Sequence, residues 1–433
     1  MRARILIVLL GSLLLAGPAF AGTFRAAAVE VDITPGSPQW LAGYDARQSN
    51  GVRDRLFHRI VALDDGTTAA YFISTDTCMM SPAYVDKVKE DIHRELGISP
   101  GSIWWLSTHT HSAPEIGPPG VVAVFMPERY GQAAAGESNP EYTEFAEKKL
   151  IDGLRQARQG LQPARIGFGT GYATANIDRR AKDEEGKVTI GLNPDGPTDR
   201  QIGLIRLETL DGKLIALLAN YAIHGTVLGQ ENLKITGDVP GVVSEYVEKK
   251  VGAPVLFING AEGNLAPIYS VYPNPELGHL NQFRVLLGDR ILQANENTGA
   301  LTSAVTLTDS KITIESPLRA GLTWPKSLEA YIDRSSGGAL LVRTPVHFLQ
   351  INHEAVIWGA PIEMFCKIAI DVRTQSRFPF TFYFGLLDGW LGYLPTAEAI
   401  HQGGYEPETS PFTDRGEDNL RQGVVSHLAV MTL

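Results

Sequence analysis

Three features of the 433-residue sequence predict a mixed α/β fold: a single domain with mixed parallel and antiparallel sheets flanked by helices. Apolar runs are joined in pairs by Asp65-Gly66 and Asp211-Gly212, tight-turn dipeptides that make the flanking strands antiparallel. Other strands lead straight into helices, which allows parallel pairs beside the hairpins. No internal repeat, low-complexity tract or linker divides the chain.

The N-terminus opens with Arg2 and Arg4, an apolar run over 5–15 and Ala19-Phe20-Ala21. This charged, apolar, small-x-small series is the pattern of a secretory leader cut after Ala21. The apolar run is too short for a good membrane span, and no later segment reaches ~18 apolar residues. The working chain is therefore expected to be residues 22–433, secreted or periplasmic, with no transmembrane anchor.

Residues 24–34 alternate and stop at Pro35-Gly36, which predicts a first strand. Residues 58–64 and 67–74 form the first hairpin, with Asp76 just beyond it, and 82–96 has helical periodicity. Ile103-Trp104-Trp105-Leu106 is β-branched and aromatic, a buried strand. Residues 126–140 are small and polar, a surface loop placed to cover a site, and 141–159 is helical. A strand over 164–175 is followed by a loop at 176–180 and a polar, turn-rich stretch over 182–198. The second hairpin, 202–209 with 214–222, ends at Ile223-His224-Gly225-Thr226. Asp238 and Pro240 open a helix to about residue 250. A strand at 255–258 runs into a glycine-rich turn over 259–267. Then come a helix over 278–295, strands near 305–315, 346–351 and 355–359, and a helix leading from Glu363 to about Gln375. An aromatic strand over 380–386 precedes Asp388–Pro395 and Gly403-Gly404-Tyr405-Glu406.

His109 and His111 follow the strand that starts at Ile103. In extended backbone residues i and i+2 share a face, so both imidazoles are expected on one side of the strand end. That arrangement fits a metal or acid/base site and, equally, two structural histidines bonded to loop backbone. Polar residues recur at strand ends: Asp76, His109 and His111, Arg179, His224, Glu363 and Tyr393. Loops at one edge of a sheet are where sites are built. His109, His224 and Glu363 would supply two imidazoles and a carboxylate to zinc. Taken singly, His224 reads as a satisfied core histidine and Glu363 as a charge in the first turn of its helix.

A net charge of −10 argues against a nucleic-acid surface and against anionic lipid. Cys78 and Cys366 permit a disulfide in an oxidising compartment, and two buried free thiols fit their apolar surroundings as well.

Ser107-Thr108-His109-Thr110-His111-Ser112, Ile223-His224 before a threonine, Gly263-Asn264-x-Ala266-Pro267, Gly359-Ala360-Pro361-Ile362-Glu363 and Gly392-Tyr393-x-Pro395-Thr396 occur in a familiar order. From Ala26 to about Glu406 the sequence resembles the neutral/alkaline ceramidases, zinc amidases that hydrolyse N-acyl sphingosine. The resemblance implies a Zn²⁺ cofactor held by His109, His224, Glu363 and Tyr393, with His111 beside it, and a small-molecule or lipid amide as substrate. It also places Arg179 and Tyr405 near the reacting carbonyl. Metal-activated water would attack the amide, Arg179 or Tyr405 would stabilise the oxyanion, and His111 would protonate the leaving amine. Asp76 or Asp238 would orient a ligand histidine or simply brace a loop. Three positions depart from the family: Asp178 replaces an asparagine, Asn264 an acid, and Ala266 a serine. A serine role is impossible with Ala266, whereas a metal-water mechanism survives. The resemblance is to short bacterial members, without the immunoglobulin-like C-terminal domain of longer ones. A ceramidase, a zinc hydrolase of the same scaffold acting on another amide or ester, and a non-catalytic binding homologue all stay open.

Overall fold

Strand alternation builds two sheets that share one core, described here by a computed structural model over residues 24–130, 139–270 and 277–431. The expected leader lies outside the described residues, as do residues 131–138 of the expected covering loop. The first sheet runs in the order Val255–Asn259, Leu214–Tyr221, Gln201–Thr209, Gln162–Tyr172, Arg25–Asp32, Phe57–Asp64, Ala69–Thr75, Ile103–Ser107. Its inner pairs, including both expected hairpins, are antiparallel. The outermost pair at each edge is parallel. Each of these is a strand-helix-strand unit, crossing over through Pro82–Leu96 or Asp238–Val251.

The second sheet orders Leu307–Pro317, Leu340–Ile351, Ala355–Gly359 and Phe380–Phe384, with Ile332–Arg334 added beside Leu340–Ile351. Val61, Phe72, Trp104, Leu207 and Leu256 of the first sheet meet Leu349, Ile357, Phe382 and Phe384 of the second. Neighbours one step along point the other way. Ile60, Ile73 and Trp105 pack under Pro82–Leu96 and Pro140–Gln159, and Leu217, Tyr221 and Phe257 under Asp238–Val251. Val356 and Trp358 pack under Cys366–Gln375 and Arg415–Val430. The result is helix, sheet, sheet, helix. Each fully buried large side chain contributes roughly 1.5–3 kcal/mol, and a one-residue slip would turn a whole strand's set to the wrong face.

The first sheet curls until its edges meet. Ser74 Oγ, next to one edge, donates to Phe257 O on the other at 2.6 Å, and Asn259 Nδ2 donates to Thr108 O at 3.2 Å. This closure sets the strand ends of both edges side by side.

Several elements differ from expectation. Residues 176–180 belong to a strand, Asn176–Lys182, and the polar stretch after it contains Val188–Asn193. These strands face Leu265–Pro267 in a small sheet, so long-range pairing overrides their polar composition. The 278–295 helix is broken into Leu277–Gln282, a wide turn over Arg284–Gly288 and Asp289–Glu296. Glu363 precedes its helix, in the two-residue strand Glu363–Met364, so it is not a first-turn charge. Arg415–Val430 is a helix the sequence reading did not assign.

His58 carries a pH dependence. It is fully buried, with Nδ1 2.8 Å from Thr75 Oγ1 and Nε2 3.0 Å from Ala146 O. Burial lowers its pKa from 6.5 to about 4, only partly opposed by the Ala146 carbonyl. Because the unfolded chain takes up this proton first, His58 contributes stability that is present above pH ~6.5 and lost as pH falls toward 4. The loss between pH 7 and 5 should be about 2 kcal/mol. Urea unfolding of His58→Gln should show a shallower decline over that range than wild type; equal declines would remove His58 as the cause.

Candidate metal centre

The strand Ile103–Ser107 stops before the histidines. At His109 the backbone turns to φ 66°, a region side-chain-bearing residues rarely adopt. Strand alternation therefore does not align His109 with His111, contrary to expectation. A second turn does. Thr110 bridges Gly225 in parallel register, with Gly225 N–H donating to His109 O at 3.2 Å and His111 N–H to Gly225 O at 2.9 Å. A Cβ on Gly225 would lie 2.7 Å from both His109 O and Thr110 Cα, so only glycine permits this zipper. It holds the His109–His111 turn against the turn after His224. Glu363–Met364 pairs in parallel with Tyr393–Leu394, which sets Glu363 directly beside Tyr393.

His109 Nδ1 donates to Cys78 O at 2.8 Å and His224 Nδ1 to Leu265 O at 2.9 Å. With each ring proton engaged on Nδ1, both Nε2 lone pairs face inward. They lie 3.4 and 3.2 Å from Glu363 Oε2. All three side chains are fully buried, and Glu363 Oε2 has no hydrogen-bond donor. Such an oxygen is costly to bury, and a cation shared with two imidazole lone pairs removes that cost. The three ligand atoms lie within 4.8 Å of one another. Two nitrogens and an oxygen fit a three-ligand metal site with an open position. A proton on His109 Nε2 is the competitor. Burial opposes it, but Glu363 and then Cys78 outweigh burial and raise His109 above its ordinary range. Glu363 is in turn held low against burial, chiefly by His109. Burial and the Arg179 charge lower His224 to about 4.

His109, His111, Arg179, His224, Glu363, Tyr393 and Tyr405 gather here. Tyr393 Oη is 3.5 Å from His224 Nε2 and accepts from Arg179 Nη2 at 3.1 Å. Burial and then Glu363 raise its pKa, so it stands as a phenol. Arg179 Nη1 lies 3.0 Å from His224 Nε2, and Arg179 donates to Gly263 O at 3.0 Å and to Glu406 Oε1 at 2.8 Å. His111 Nε2 is 3.3 Å from His109 Nε2. The Tyr405 ring centre lies 5.7 Å from that of Tyr393 and 5.8 Å from Arg179 Cζ.

Neither Asp76 nor Asp238 orients a ligand histidine through a hydrogen bond. Asp76 Oδ2 accepts from Phe57 N–H and Arg59, and Asp238 accepts from the Val227, Leu228 and Val239 amides, so both brace loops. Cys78 and Cys366 are buried free thiols. Cys78, His109 and His111 form a second close trio, but the Cys78 sulfur approaches His109 from the Nδ1 side, at 3.7 Å. Sequence reasoning missed three residues. Trp390 donates to Glu363 Oε1 at 2.7 Å. Glu406 joins Arg179 and Arg180, a pairing that the consecutive arginines could have signalled. Glu262 is fully buried without a hydrogen-bond partner, and burial pushes it up to about 8; its glycine-rich turn carried no signal of this.

Comparison with known proteins identifies the family. Residues 26–262 match the profile described as neutral/alkaline non-lysosomal ceramidase, N-terminal. The chain belongs to this ceramidase family. Neutral ceramidase B of Dictyostelium discoideum is 26% identical over 244 residues, covering 52% of this chain and 31% of that protein. Neutral ceramidase of Pseudomonas aeruginosa is 24% identical over 244 residues, covering 54% of this chain and 35% of that protein. The matched part thus spans about a third of these relatives. The crystal structure of neutral ceramidase from Pseudomonas aeruginosa superposes with a TM-score of 0.73 at 16% identity, covering 94% of this chain and 74% of that one. At that identity the likeness speaks for the ceramidase fold alone. The profile match includes His109, His111, Arg179 and His224, whereas Glu363, Tyr393 and Tyr405 lie beyond it.

His109→Ala and His224→Ala should each leave the purified chain without stoichiometric metal by elemental analysis. Wild-type metal content in either variant would sink the assignment.

Proposed function

We propose that the chain is a zinc-dependent amidohydrolase that cleaves the N-acyl bond of ceramide or a related lipid amide. The observation that carries this reading is the convergence of His109 Nε2, His224 Nε2 and the donor-less Glu363 Oε2 in a fully buried cluster, in a chain of the ceramidase family. Zinc would be held by His109, His224 and Glu363, with Tyr393 as a further ligand, and would supply Lewis acidity and a nucleophile at neutral pH. Arg179, which donates to Tyr393 Oη, and Tyr405, whose ring lies beside both, would stabilise the negative charge that develops on the acyl oxygen. Glu406 keeps the Arg179 guanidinium aimed there. His111, kept neutral by burial and by the neighbouring His109 and His224, would take the proton that the attacking water loses and deliver it to the leaving amine nitrogen.

Residues 22–433 are read as one catalytic unit, exported to the periplasm or secreted. Among the described residues no helix is long and apolar enough to cross a membrane. Ala266 favours a second reading, a zinc hydrolase of the same scaffold acting on another amide or ester, because the methyl removes any serine contact to a ceramide headgroup.

Purified residues 22–433 should release fatty acid from a fluorescent N-acyl sphingosine, and a zinc chelator should stop the release. No release by a protein shown to hold zinc would move the reading to the other amide or ester.

A further inference from the structure

A carboxylate that binds a metal through one oxygen must have its other oxygen held, because rotation about the Glu Cγ–Cδ bond is soft. In Glu363 that hold is visible. Oε1 accepts the Trp390 indole N–H at 2.7 Å, while Oε2 faces the two imidazoles. Glu363 is fully buried and Trp390 is 3% exposed. We propose that Trp390 is a positioning residue: it selects Oε2 as the ligand oxygen and thereby sets how tightly the site retains zinc. The proposal rests on the metal-centre reading above.

Trp390 is itself fixed by a constrained loop. Leu386 (φ 52°), Asp388 (φ 63°), Gly389 (φ 123°) and Gly392 (φ 115°) all take positive φ within seven residues. Non-glycine residues in such conformations are strained and persist only where their surroundings hold them. Here the surroundings are a buried clasp. Asp388 Oδ2 lies 2.5 Å from Lys89 Nζ, and Oδ1 accepts from Trp105 N–H at 3.1 Å. Asp388 N–H donates to Trp105 O at 2.7 Å, and Trp390 N–H to Met80 O at 2.9 Å. Gly389 sits so close to Pro82 that a Cβ would lie 2.7 Å from the Pro82 nitrogen. The strand that leads to His109 therefore also anchors the loop that aims Trp390 at Glu363. The indole stands edge-on to Phe125 at 6.0 Å and to Tyr393 at 6.1 Å, so aromatic rings flank it on two sides.

The test is zinc affinity of the full chain, measured by competition with a chromophoric chelator. Trp390→Phe keeps a ring and removes the N–H donor, and its zinc dissociation constant should rise about 10- to 100-fold. Unchanged affinity in a folded Trp390→Phe chain overturns the proposal, whereas failure of the wild-type chain to bind zinc overturns the metal reading instead. A second measurement needs no substitution. With ¹⁵N-labelled tryptophan, the six indole N–H groups are observable in the wild-type chain. Adding zinc should shift one of them, because the charge on its carboxylate acceptor changes. Zinc binding that leaves all six unmoved overturns the proposal, including where the Phe variant does not fold.

Discussion

The site depends on one buried amide. Asn259 ends an outer strand of the first sheet and is fully buried. Its Oδ1 accepts from Ile223 N–H at 3.0 Å, and its Nδ2 donates to Ile223 O at 2.8 Å and Thr108 O at 3.2 Å. Ile223 and Thr108 are the residues immediately before His224 and His109. In the strand order, the segments leading to those histidines are one place from one edge and at the opposite edge. An open sheet would leave them far apart. The curl brings the edges together, and a planar amide with two donors and one acceptor is the shape that ties both backbones at once. In a dry interior such bonds are strengthened, and an apolar residue there would orphan three backbone groups.

What was legible in the sequence follows from this. Hairpins, helices and the buried strand at Ile103 came from local pattern, and local pattern is what fixes them in the structure. The site residues were legible as polar groups at strand ends, and the family likeness added their grouping. The reason for their grouping was not legible. His109 and His111 converge through a left-handed turn and a zipper to Gly225, both of which need the closed sheet. Asn176–Lys182 looked like loop because its strand character comes only from its partners. Glu363 looked like a helix start because Cys366–Gln375 follows it, and only pairing with Tyr393–Leu394 makes it a strand. Trp390 was silent for the same reason, since its partner Glu363 is distant in sequence, and Glu406 had only the consecutive Arg179 and Arg180 to signal it.

The departures from the family pattern are of two kinds. Asp178 and Asn264 touch: Asn264 Nδ2 donates to Asp178 Oδ2 at 2.5 Å, and Asn264 Oδ1 accepts from Cys366 N–H at 2.9 Å. Where the family resemblance places an amide and then an acid, this chain has an acid and then an amide. One donor and one carboxylate remain, so the link from the Arg179 strand to the glycine-rich turn persists with its ends exchanged. Arg179, next along that strand, keeps its donors to Gly263 O and Tyr393. Ala266 is not compensated in this way. It is buried opposite Ile177 and brings a methyl where the family has a hydroxyl. The His109, His224 and Glu363 cluster and the Arg179 contacts are therefore undisturbed, while Ala266 puts a methyl on the adjoining turn. Under the function proposed above, that pattern would leave the amide-splitting groups in place and put the difference on what the site recognises.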